Sequence, residues 1–107
     1  MESSEVIRAL SALAQASRLQ VFRQLVVAGP EGASAGDIAQ SQGMAANTLS
    51  FHLKELLNAG LITQERRGRH LIYRAHYAQM NGLLSYLTEN CCQGGVCLDV
   101  SARAASC

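Results

Sequence analysis

The stretch "MAANTLSFHLKELLNAGLITQERRGRHLIYRA", residues 44–75, changes its hydrophobic period partway along. In its first half Leu49, Leu53, Leu56 and Leu57 recur at helical spacing, and Gly60 is placed to close the run. Beyond Leu61 and Ile62 the pattern turns polar. The turn "RRGR" holds Gly68, and Leu71, Tyr73 and Ala75 then alternate with Ile72 and Arg74, the period of a strand. The stretch therefore predicts a helix followed by a two-stranded hairpin.

Just upstream, "SAGDIAQSQG" is short, opens with Ser34 and Asp37 in capping-box-like spacing and closes at Gly43. Two helices across a tight turn make a helix-turn-helix arrangement. Further out, "SEVIRALSALAQ" sets Val6, Ile7, Leu10, Leu13 and Ala14 on one helical face. "SRLQVFRQLVVAG" offers Ser17 as N-cap, with Gln20 three residues on, and Gly29-Pro30 as a stop. After the hairpin, "YAQMNGLLSYLTEN" returns to helical spacing through Met80, Leu83, Leu84 and Leu87. The expected fold is mainly α with a β-hairpin wing: four helices, two strands and a last helix, a winged helix-turn-helix. The remainder, "CCQGGVCLDVSARAASC", is small, Gly- and Ala-rich and poorly patterned. The expected division is a DNA-binding and dimerisation domain over 1–92 and a flexible tail over 93–107 that contributes thiol ligands.

Composition sets bounds on this reading. A chain of 107 residues, 49% hydrophobic, holds one modest core. So small a core favours added burial from a partner subunit, and an oligomer is expected. The segment "MESSEVIRAL" carries acid where a secretory leader would carry base, and no apolar run reaches the length of a membrane span, so a cytoplasmic protein without membrane contact is expected. In a reducing cytosol clustered cysteines serve more often as thiolate ligands or redox groups than as bridges.

The net charge of +1 is uninformative, but its distribution is not. Between Asn47 and Arg74 stand Lys54, Arg66, Arg67, Arg69 and Arg74 against Glu55 and Glu65 alone. In a winged helix-turn-helix the second helix of the turn presents its polar face to the DNA major groove. Here that face carries Asn47, Thr48, Ser50, Phe51, His52 and Lys54: short donors and acceptors for base edges and phosphates, and an aromatic able to touch a thymine methyl. Arg66, Arg67 and Arg69 suit phosphate or minor-groove contact. The plainer alternatives are a solvated Arg-rich hairpin and, for His52, a surface histidine.

The run "GMAANTLSFHLKELLNAGLITQERRGRHLIYR", with "LSALAQASRLQVFRQL" before it, resembles the ArsR/SmtB family of bacterial metal-sensing repressors. The resemblance rests on Thr48, Ser50, His52, Leu53 and Lys54 in their spacing, followed by "LLNAGLI". It implies a homodimer through the first and last helices that represses its operon at a pseudo-palindromic operator in double-stranded DNA and is released by a metal or metalloid. Two familiar sensor sites of the family are missing: no cysteine stands in "SAGDIAQ" before the recognition helix, and no histidine lies within "YAQMNGLLSYLTEN", His76 only preceding it. Ala45 stands where the family commonly has a serine N-cap.

Cys91, Cys92 and Cys97 follow the last helix, a position that resembles the arsenic-responsive members. Three thiolates without a nearby imidazole favour a three-coordinate thiophilic centre, trivalent arsenic or antimony, over tetrahedral zinc. Gly94-Gly95 allow the chain to fold back so that Cys97 can join the adjacent pair. The expected protein is an arsenic(III)- or antimony(III)-responsive repressor with no cofactor besides that inducer. Alternatives are a zinc-, cadmium- or thiol-redox-responsive repressor of the same fold, with a disulfide from Cys97 to Cys91 or Cys92, and a metallochaperone that uses the winged helix for protein contact. Cys107 is an optional fourth ligand. An enzyme is not expected, since no CxxC pair, phosphate-binding glycine loop or nucleophile-base set is evident.

Overall fold

The computed structural model describes residues 1–94. The order is α1 (Ser3–Leu13), α2 (Ala16–Ala28), a 3-10 turn (Gly29–Glu31), β1 (Ala33–Ser34), α3 (Ala35–Gln42), α4 (Ala46–Asn58), β2 (Ile62–Arg67), β3 (His70–Ala75), α5 (Tyr77–Leu87) and a second 3-10 turn (Cys91–Gly94). All the expected helices and both hairpin strands are present. Of the expected tail, residues 95–107 lie outside the described residues, Cys97 and Cys107 with them.

Four local expectations change. In α1 the buried side is Val6, Ala9 and Ala12, while Ile7 and Leu10 point away at 62% and 42% exposure. The small alanines let the helix approach the core closely, which leaves Ile7 and Leu10 outside while Leu13 packs at its edge. The N-cap of α2 is Gln15 and not Ser17: Gln15 is extended and its side-chain oxygen accepts from the Arg18 amide at 2.7 Å. Only Ala14 and Gln15 separate α1 from α2, so the cap falls at the bend itself and Ser17 lies within the first turn. The last helix ends at Leu87 and not at Asn90, with the Thr88 hydroxyl donating to the Leu84 carbonyl at 2.8 Å. The fourth change is β1, a strand beyond the two expected, which pairs antiparallel with β3 and makes a three-stranded sheet in the order β1-β3-β2. A two-residue strand has no periodicity to read.

Expected punctuation holds elsewhere. The Ser34 hydroxyl accepts from the Asp37 amide at 3.2 Å, capping α3, and Gly43 ends it in the left-handed region at φ 60°. In the hairpin Arg67 pairs with His70, leaving Gly68-Arg69 as a two-residue loop with Gly68 at φ 60°. A positive φ at the first loop residue alone fits a II′ turn, whose twist matches the strands.

The core lies where α2, α3 and α4 meet the sheet. Leu25, Ile38, Leu49, Leu53, Leu56 and Leu61 are almost fully buried, each worth about 1.5–3 kcal/mol relative to exposure. Long-range polar contacts fix the elements to one another. Gln24 Oε1 accepts from Ser41 Oγ and Gln42 Nε2, each at 2.8 Å, tying α2 to the end of α3. Tyr77 donates its hydroxyl to the Val26 carbonyl at 3.1 Å, and His76 Nδ1 lies 3.0 Å from the Gly60 carbonyl. A carbonyl only accepts, so Nδ1 carries the proton. The start of α5 is thus bonded to the ends of both α2 and α4.

Candidate nucleic-acid interface and thiol cluster

Helix α4 buries Leu49, Leu53 and Leu56 and thereby turns its opposite face outward. Asn47, Thr48, Ser50, Phe51 and Lys54 are exposed along that face, as the helical period requires. Its start is unusual. Ala45 provides no side-chain cap; instead Asn47 Oδ1 accepts from the Thr48 amide at 2.9 Å. One of the orphan donors of the first turn is met by Asn47, whose side-chain amide NH2 remains available to a base or phosphate.

His52 does not share this exposure. It is 7% exposed, on the buried stripe between Leu49 and Leu56, and its Nδ1 is buried with no hydrogen-bond partner among the described residues. The expectation that it stands on the polar face is corrected: helical spacing puts His52 three residues after Leu49 and four before Leu56, on the core side. Its ring meets that of Phe51 edge-on, with centroids 5.8 Å apart and planes at 64°. Phe51 itself is 56% exposed.

Across the hairpin, Arg66, Arg67 and Arg69 are all exposed. Arg66 and Arg69 make no ion pair among the described residues, while Arg67 lies 3.5 Å from Glu65. Arg74, which contributes to the basic balance of the sequence, has a structural task. Its Nε donates to the Pro30 carbonyl at 2.7 Å and it pairs with Glu65 at 2.9 Å, fastening the root of the wing to the turn before β1. Arg18 lies 3.9 Å from Glu55, and Arg8 donates to the Asn58 carbonyl at 3.3 Å, bracing α4 from α2 and α1. These partners are far apart in the chain, and no local sequence signal marks them.

Of the thiols, Cys91 is half-buried in the 3-10 turn after α5, its amide donating to the Thr88 carbonyl at 3.1 Å, and Cys92 follows in the same turn. Cys97 lies outside the described residues. No helix among the described residues is long and apolar enough to cross a membrane.

This arrangement has relatives. Residues 13–65 match the family model described as a helix-turn-helix domain. The chain is 37% identical over 81 residues to the arsenical resistance operon repressor of Bacillus subtilis, covering 76% of this chain and 73% of that one. It is 34% identical over 91 residues to the HTH-type transcriptional regulator NmtR of Mycobacterium tuberculosis, covering 82% and 73%. Among solved structures, an ArsR-like transcriptional regulator from Rhodococcus sp. RHA1 superposes with a TM-score of 0.74 at 23% identity over 96% of this chain and 89% of that one. A homodimeric winged helix-turn-helix DNA-binding domain from Mycobacterium bovis superposes with a TM-score of 0.65 at 25% identity, covering 90% and 89%. With its exposed recognition face, its basic wing and relatives of this identity and coverage, the chain belongs to the ArsR/SmtB family of winged helix-turn-helix, DNA-binding transcriptional regulators.

Proposed function

We propose that this regulator is a dimeric repressor that leaves its operator when trivalent arsenic or antimony is held by Cys91, Cys92 and Cys97. The observation that carries the reading is the position of the thiols. Cys91 and Cys92 stand in the 3-10 turn that three residues separate from α5, and the cap residue of that helix, His76, is bonded to Gly60 just past the end of the recognition helix α4. Thiolates select soft ions, and three of them suit a pyramidal trivalent metalloid. The similarity to an arsenical resistance operon repressor supports the same inducer class.

Asn47, Thr48, Ser50, Phe51 and Lys54 of α4 enter the major groove, and Arg66, Arg67 and Arg69 hold the flanking backbone. His52 acts from beneath the reading face by fixing Phe51. Dimerisation uses the apolar residues that α1 and α5 leave outside, Ile7, Leu10, Leu84 and Leu87, and the M. bovis neighbour is itself homodimeric. Two reading heads then meet half-sites about one helical turn apart. Metalloid bound at the end of α5 changes the pose of the helix that links dimer and reading head. The coupling is reciprocal, so DNA weakens metalloid binding by the same factor.

The test is binding of a labelled fragment of the gene's own promoter at fixed salt under reducing conditions, with and without arsenite. Release by arsenite that disappears in Cys91→Ser, Cys92→Ser and Cys97→Ser is the expected outcome. Indifference to arsenite with release by zinc, cadmium or oxidation overturns the inducer and leaves the repressor. Arsenite binding without any promoter affinity replaces the repressor with a metallochaperone.

A further inference from the structure

Phe51 stands alone on the recognition face as a large apolar side chain. Its neighbours there, Asn47, Thr48, Ser50 and Lys54, are all polar or charged, and 56% of Phe51 faces solvent although the core has taken the leucines of the same helix. The ring is braced by the edge-on contact with His52, 5.8 Å between centroids. His52 is itself buried between Leu49 and Leu56, so it is a rigid support for its exposed neighbour.

A phenyl ring has no hydrogen-bond donor or acceptor and cannot read the polar code of the major groove. The apolar group that a natural base pair presents in that groove is the C5-methyl of thymine. We propose that Phe51 is a specificity-determining residue that reads a thymine methyl in each half-site, with His52 as its positioning residue. This rests on the operator-binding reading above. The partner is thus duplex DNA with a thymine at a fixed place in both half-sites, recognised through its methyl and not through hydrogen bonds.

Uracil interference on the gene's promoter tests this and locates the half-sites in the same experiment. Fragments carrying random thymine-to-uracil replacements, each of which removes a single methyl, are partitioned into bound and free pools by the wild-type protein, and the depleted positions are read. One depleted thymine per half-site is expected. A duplex with uracil at one such position should bind about fourfold more weakly, the effect of one unburied methyl, and roughly fifteenfold more weakly with both replaced if the half-sites add. Phe51→Ala should bind the thymine and uracil duplexes equally, and Phe51→Leu should keep part of the difference. His52→Ala should reduce the methyl discrimination with its circular dichroism spectrum unchanged. Binding of the promoter with no uracil-sensitive position, or with sensitivity that persists in Phe51→Ala, overturns the inference and leaves the repressor reading standing. Failure of the wild-type protein to bind the promoter overturns both.

Discussion

Gly32 shows how much of this fold hangs on single backbone positions. Its φ is +65°, and a methyl added there would collide with the Tyr73 carbonyl oxygen and sit 2.8 Å from Arg74 Cγ. That closeness is what allows β1 to pair with β3. Gly32→Ala should therefore cost about 2 kcal/mol or more, conformational strain and collision together. Gly43→Ala, at φ +60° with nothing within 4 Å, should cost only about 1 kcal/mol. Urea titrations of the two variants compare them, and equal losses would mean that the close approach is not stabilising. Tyr73, on the other strand of this contact, is buried, and its phenol is pushed above the ordinary value of 10.0 by that burial. The folded state thus holds its proton at pH values where the unfolded chain has lost it. Stability contributed this way is intact below pH 10 and falls as pH rises through and beyond it. Tyr73→Phe should flatten the alkaline fall in the urea midpoint; an unchanged slope would place the sensitivity elsewhere.

At the scale of elements, the two helices of the turn are capped unequally. Helix α3 has Ser34 on the Asp37 amide, whereas α4 begins at Ala45 and relies on Asn47 to satisfy Thr48. Ala45 already has the extended conformation of an N-cap, φ −66° and ψ 148°. Ala45→Ser should stabilise the protein by about 0.5–1 kcal/mol, seen as a melting temperature higher by a few degrees. A lower melting temperature would show that Asn47 is the better cap. The same change releases the Asn47 side chain, so it should also alter promoter affinity.

At the scale of the molecule, α1 and α5 both leave large apolar side chains unburied. On α1 Ile7 is 62% exposed, and on α5 Leu84 and Leu87 are 53% and 54% exposed; large apolar side chains left in water are candidates for burial against a partner. Sedimentation of the wild type at micromolar concentration should give a dimer. The double change Ile7→Glu with Leu84→Glu should give a monomer of unchanged helical content with promoter binding reduced at least a hundredfold, since two half-sites no longer share one molecule. A wild-type monomer, or a variant that remains dimeric, would place the interface elsewhere.

Much of this was legible along the chain because it is local. Ser34, Gly43, Gly60 and Gly68 act on neighbours a few residues away, so α3, α4 and the hairpin follow from spacing alone, and so does the display of Asn47, Thr48, Ser50, Phe51 and Lys54. The thiol cluster is equally visible as composition. Only tertiary structure decided what depends on distant partners. Arg74 is a strut to Pro30 and not a free cation, and packing leaves His52 Nδ1 buried with no hydrogen-bond partner among the described residues. Ile7 and Leu10 face outward because Ala9 and Ala12 bring α1 in close. The short strand β1 exists only because β3 is there to receive it. Propensity and capping are set by adjacent residues; burial and charge pairing are set by whichever surface arrives opposite, and sequence spacing holds no record of that.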